Sequence, residues 1–152
     1  MAILSSRFPI FIIGIIILVG MAHFFAPSHT TSAKHRIGIL QFASHPALDA
    51  AVDGFKKRML QQLGNEVIFI LRNAQGSAGQ AQLIAQQFHQ DQSLRAILAV
   101  ATPAAQACAF IEKKRPIFIT AVTDPTTAGL NKANTNLCGT ADGIDAANRF
   151  CL

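Results

Sequence analysis

Residues 36–71 read RIGILQFASHPALDAAVDGFKKRMLQQLGNEVIFIL, two short apolar runs with a helical repeat between them. Arg36 to Phe42 has the length of a buried strand. Beyond Pro46 the repeat changes. From Ala47 to Leu63, the residues Leu48, Val52, Phe55, Met59 and Leu63 recur at spacings of three and four, one face of a helix. Gly64 and Asn65 end it, as a glycine after the last turn does. Glu66 to Leu71 is a second strand, rich in β-branched and aromatic residues.

The alternation continues toward the C-terminus. Asn73 to Gly79 is a loop, and a helix over 79–89 carries Leu83, Ile84 and Phe88 on one face. A third strand spans Arg95 to Val100. Pro103 suits the first turn of a helix, where its missing N–H is harmless, and that helix runs to about Lys114. Pro116 to Val122 is a fourth strand, and Asn136 to Thr140 begins a fifth. Strand and helix in strict alternation predict an α/β lobe, a Rossmann-like parallel sheet covered on both faces.

Toward the N-terminus the character is different. Phe8 to Ala26 (FPIFIIGIIILVGMAHFFA) is apolar and without formal charge, between a secretory core and a minimal spanning helix in length. Arg7 supplies the positive flank, and Ala33 closes a small-residue stretch that a signal peptidase accepts. Residues 1–33 are therefore expected to form an apolar helix acting as signal peptide or membrane anchor, both readings remaining open. No cysteine near residues 20–30 offers a lipid anchor. The working part is expected to be periplasmic, or held at the inner membrane by residues 8–26.

Composition excludes several functions. The 152 residues carry a formal charge of +5, but no basic stripe with interleaved aromatics, so no nucleic acid is expected. Lys56–Arg58 and Lys113–Arg115 are read as solvated helix ends. Cys108, Cys138 and Cys151 lack metal-ligand spacing; Cys108 is read as a small buried apolar residue, and a Cys138–Cys151 pair is conceivable in an oxidising compartment. There is no nucleophile elbow, phosphate loop, dinucleotide glycine pattern or zinc-protease helix. No enzyme and no cofactor are expected.

In open parallel sheets ligands meet the carboxyl ends of the strands. At the first end stands His45, either a ligand contact or an ordinary helix-entry residue beside Pro46. Asp49 and Asp53 stand four apart, as early-helix acids favoured by the dipole. At the third end, residues 101–106 (ATPAAQ) place a hydroxyl and small residues at a helix start, whose free N–H groups suit a carboxylate; capping by Thr102 is the plain alternative. Asp124 before Pro125 is a common turn starter. Beside an anion-receiving helix end it would also suit the ammonium of a zwitterion.

The ordered motifs RIGILQFASHPALDAAVDGFKKRM, NAQGSAGQAQLIAQQF, AVATPAAQA and AVTDPTTAGL resemble the N-terminal lobe of ABC-transporter substrate-binding proteins of the tryptophan/tyrosine type. The resemblance covers about residues 36–145. It implies a type I periplasmic-binding-protein fold whose two lobes close on an amino acid, often aromatic, and deliver it to an ABC permease. By the same resemblance Phe42 and His45 contact the ligand, Thr102, Ala104 and Ala105 hold its carboxylate, and Asp124 meets its ammonium. Residues 34–152 would be the first lobe with the second lobe missing, and truncation is the expected explanation, with loss of affinity or transport. The competing expectation is a membrane-anchored protein-interaction module without a small-molecule ligand.

Overall fold

The computed structural model describes residues 34–130 and 136–141, and the backbone of 149–151. The expected N-terminal helix and the leader boundary at residue 33 lie outside the described residues. Among the described residues, no helix is long and apolar enough to cross a membrane.

The elements follow the expected alternation: β1 (His35–Gln41), α1 (Pro46–Leu63), a 3-10 turn (Gly64–Glu66), β2 (Val67–Asn73), α2 (Ala78–Gln90), β3 (Leu94–Val100), α3 (Thr102–Ile111), β4 (Ile117–Val122), β5 (Leu137–Ala141) and β6 (Arg149–Cys151). The sheet order is β2-β1-β3-β4-β5-β6. The first five strands are parallel; β6 pairs antiparallel to β5 and was not expected.

The period-two geometry of the strands divides the core between two faces. Leu40, Ile97, Ala99, Ile117 and Ile119 pack with the buried residues of α2 and α3. Ile39, Leu98 and Val100 point the other way, onto Val52, Leu48 and Phe55 of α1. There Phe55 meets Phe69 edge-on at 6.4 Å and Phe118 at 5.8 Å. Gly64, with a φ of +57°, ends α1 and donates its N–H to the Leu60 carbonyl. Gly139 is required by space: a Cβ there would stand 2.0 Å from the Ile119 carbonyl oxygen on the neighbouring strand.

Three expectations need correction. The buried face of α2 is Ala81, Ile84, Ala85 and Phe88, whereas Leu83 is 54% exposed. Lys56–Arg58 lie inside α1, whose last turn has no basic residue. Helix α3 stops at Ile111, before the second basic cluster. Glu112, only 2% exposed, turns back there to accept the amides of Lys114 and Arg115 at 2.8 and 3.1 Å.

Arg115 is then anything but a solvated helix end. Its Nε donates to Glu112 Oε2 at 2.8 Å, and its terminal nitrogens donate to the carbonyls of Phe88, His89 and Asp91 at 2.6–2.7 Å. Those carbonyls belong to the last turn and cap of α2, where the helix itself supplies no amides to satisfy them; the Leu94 amide also reaches the Asp91 carbonyl, at 3.2 Å. Asn136 donates to the Glu112 and Arg115 carbonyls at 3.2 and 2.8 Å. One ion pair thus binds α2, α3, β4 and the entry to β5 at the amino edge of the sheet.

The cysteines divide as well. Cys108 is free and fully buried, and burial pushes its thiol up to about 12. Cys138 is disulfide-bonded, and the ladder sets the backbone of Cys151 opposite it.

Candidate functional site

The order β2-β1-β3-β4-β5 reverses direction at β1 and β3. From β1 the chain passes through α1 on one face, and from β3 through α3 on the other. The connections therefore part above the carboxyl ends of β1 and β3, leaving a crevice at the switch point. Phe42 and Thr102 stand on its two sides. Gln41 is in register with Val100, and the Phe42 amide donates to the Val100 carbonyl at 3.3 Å.

Backbone strain collects along this edge. Gln75, Ala101 and Ala121 have φ of +53°, +79° and +56°, and each stands at or just beyond the carboxyl end of β2, β3 or β4. Such angles are adopted by few residues other than glycine. Gln75 is braced by Asn73, whose Oδ1 accepts its amide at 2.8 Å, and Asn73 also donates to Ser44 Oγ at 3.0 Å. Ala101 donates to the Thr120 carbonyl and accepts from the Ala105 amide, both at 3.0 Å.

Ala101, not Thr102, is the cap of α3, and no side chain caps that end. Thr102 is the first helical residue. Helix geometry leaves the amides of Thr102 and Ala104 without an intrahelical acceptor, and Pro103 has no N–H to place. The Ala105 amide is already bonded to Ala101. Ala104 and Ala105 are both 0% exposed, their side chains in the core shared by α2 and α3. Thr102 is the half-buried residue at the surface of this end.

His45 is exposed and caps α1: its Nδ1 accepts the Ala47 amide at 3.2 Å. The helix-entry reading is therefore realised. With Nδ1 accepting, the neutral ring carries its proton on Nε2, which is left as a donor. Asp124 is likewise occupied as a turn starter. Its Oδ1 accepts the amides of Thr126 and Thr127 at 2.9 and 3.2 Å, and its Oδ2 accepts the Thr127 hydroxyl. The Thr127 hydroxyl, before the amides, holds the Asp124 carboxyl below its ordinary range. The carboxylate thus stays negative, with lone pairs to spare for another donor.

All six residues lie on the carboxyl edge of the sheet, though no hydrogen bond joins any two of them. Sequence reasoning overlooked Gln41, which is 3% exposed and donates to Asp49 Oδ1 at 2.6 Å. A glutamine closing an apolar strand was the signal. Among the described residues no cluster of His, Cys, Asp or Glu could hold a metal. A groove of about 420 Å³ lies elsewhere, between α2, α3 and the turn before Leu130, and is lined by none of the six residues. The strand ends at the switch point remain the candidate ligand site, because open parallel sheets receive ligands there.

Comparison with known proteins bears on the family and the fold. The family model for ABC transporter substrate binding proteins matches residues 36–150. A tyrosine-binding protein of Clostridioides difficile is 40% identical over 121 residues, covering 74% of this chain and 35% of that protein. A ligand-free, open substrate-binding protein with adhesive properties from Clostridium difficile superposes with a TM-score of 0.68 at 39% identity, covering 72% of this chain and 39% of that one. A Streptococcus pneumoniae ABC domain in complex with L-Trp gives 0.66 at 29% identity, covering 71% and 38%. The fold is that of one lobe of the type I periplasmic binding proteins. The chain spans little more than a third of the length of these relatives.

Proposed function

The chain belongs to the family of ABC transporter substrate-binding proteins, and from that premise we propose that it supplies the first jaw of an amino-acid clamp serving an ABC permease. The uncapped start of α3 at the switch point carries the reading. It presents unpaired amides in a strained loop, beside the aromatic ring of Phe42.

The six residues then take unequal parts. The Thr102 amide and hydroxyl receive the ligand carboxylate, assisted by the Ala104 amide on the floor of the crevice. Ala105 serves through packing, since its amide is engaged within the helix. Asp124 offers its remaining lone pairs to the ammonium group, and His45 offers Nε2–H at the rim. Phe42 lies against the ligand side chain, which favours an aromatic amino acid. Relatives that bind tyrosine and L-Trp support that class.

Closure follows the hinge logic of such clamps. Contacts to both lobes stabilise the closed state, and contacts to one lobe alone leave the ligand half solvated. The site works outside the cytoplasm, as the family does, and a disulfide-bonded Cys138 suits an oxidising compartment. The signal or anchor role of residues 1–33 belongs to the same proposal.

Thermal shift of the full chain in mild detergent tests the reading. L-tryptophan or L-tyrosine should raise the melting temperature, and tryptamine, lacking the carboxylate, should not. Phe42→Ala should remove the response. Equal responses to tryptophan and tryptamine, or none to any aromatic amino acid, would sink the proposal.

A further inference from the structure

Among the described residues, Gln41 and Glu112 are the two buried polar ones. A buried polar group is unfavourable unless it is hydrogen-bonded, and these two are satisfied differently. Both Glu112 oxygens are engaged, by the Lys114 and Arg115 amides, the Arg115 guanidinium and His89. Gln41 is engaged at one end. Its Nε2 donates to Asp49 Oδ1 at 2.6 Å, and because an ionised carboxylate can only accept, that bond fixes which way the amide points. Its Oε1 accepts no hydrogen bond among the described residues, yet it is not sealed from solvent.

Asp49 is half-used in the same way. It stands exposed in the first turn of α1, bonded through Oδ1 and not through Oδ2. A staple between β1 and α1 needs the one bond only. The pair presents two idle acceptor oxygens at the switch point, one of them on a charged group, where a hydrogen-bond donor is attracted and an anion repelled.

The place of the pair in the sheet decides which part of a ligand meets it. Gln41 closes β1 in register with Val100, the last residue of β3, so the two strand ends lie about 4.8 Å apart. Asp124 follows β4, on the other side of β3. A ligand with its carboxylate at the start of α3 and its ammonium toward Asp124 extends its side chain in the remaining direction, over β1. There the side chain meets Phe42, Gln41 and Asp49. Tyrosine arrives with an O–H and tryptophan with an N–H, whereas phenylalanine brings no donor. We infer that Gln41 and Asp49 are specificity-determining residues, accepting a hydrogen bond from the side chain of the bound aromatic amino acid and so selecting tyrosine and tryptophan over phenylalanine. The inference rests on the amino-acid clamp proposed above.

Calorimetric titration of the full chain in mild detergent tests it, with L-tyrosine, L-tryptophan, L-phenylalanine and L-lysine as probes. Tyrosine and tryptophan should each bind about tenfold more tightly than phenylalanine, which leaves the two acceptors unpaired. Asp49→Asn keeps an acceptor for Gln41 but turns an NH2 group toward the ligand. The preference for tryptophan over phenylalanine, whose indole can only donate, should then fall about tenfold. Gln41→Met, apolar in the same buried place, should weaken that preference too, with a cooperative melt as the check on folding. Asp53→Asn, one turn further along α1 and equal in lost charge, should keep the wild-type ratio. Equal binding of all three aromatic amino acids by the wild type overturns this inference and leaves the clamp standing. A preference that survives Asp49→Asn, or lysine bound more tightly than tyrosine, does the same. Binding of no amino acid overturns the clamp and this inference with it.

Discussion

Replacing Glu112 by glutamine should unfasten the amino edge of the lobe. Burial pushes the Glu112 carboxyl up, but the amides of Lys114 and Arg115, the Arg115 guanidinium and His89 outweigh it and bring the value down from 4.5 to about 2. A folded value below the unfolded one stabilises the fold above the unfolded value, and that stability drains away as pH falls. The drop from 4.5 to about 2 corresponds to about 3 kcal/mol, present above pH 4.5 and lost progressively toward pH 2. A glutamine side chain in that place would keep an acceptor for the two amides but turn an NH2 group toward Arg115 Nε. It would also strip a side chain only 17% exposed of its counter-charge. Breaking a buried pair from one side costs about 3–5 kcal/mol. Because Arg115 keeps its three carbonyl partners, the lower figure is expected. Urea unfolding of the full chain, followed from pH 7 to pH 2.5, provides the assay. Glu112→Gln should be about 3 kcal/mol less stable at neutral pH, and the gap should close on acidification. A variant as stable as the wild type at pH 7, or a gap that stays constant with pH, would refute the reasoning.

Gly139→Ala would drive a methyl group into the Ile119 carbonyl at 2.0 Å. It should cost about 3 kcal/mol or more, the upper end for overpacking, visible as loss of a cooperative melt. Ala101→Gly relieves a φ of +79° and should raise stability by about 1 kcal/mol in the same urea assay. His45→Ala removes the acceptor for the Ala47 amide and should lower stability by about 1 kcal/mol; His45→Asn should restore most of it.

The strands were legible because each is an apolar run bounded by Gly, Pro or polar residues, and their alternation with helices implied the parallel sheet. Partner choice is written less directly. That β1 lies between β2 and β3 follows from which face each helix takes, which no local pattern states. Periodicity misplaced Leu83 because the small residues Ala81 and Ala85 fill the buried stripe, and alanine carries a weak hydrophobic signal. The basic run 113–115 was misread for a different reason. Three cations after an apolar helix look like a dipole-complementing end, and only the fold brings Arg115 under the carbonyls of α2, more than twenty residues earlier. The candidate site was legible as positions at strand ends. It was less legible as chemistry: Thr102 could not be told from Ala101 as the cap without the backbone angles, and the mutual bond of Gln41 and Asp49 depends on their approach in space.

The place of β1 between β2 and β3 has a consequence for how the chain acquires its shape. This strand is made before both of its neighbours, pairing on one side with β2 (residues 67–73) and on the other with β3 (residues 94–100). Until the segment ending at Val100 has arrived, Ile39 and Leu40, both fully buried in the finished lobe, have an unpaired strand edge beside them. Such non-local pairing is slow and leaves sticky intermediates. A chain delivered end-first would therefore be most exposed to aggregation in the interval between the emergence of β1 and that of β3. Reagents that recognise unpaired strand edges should label it then and not afterwards.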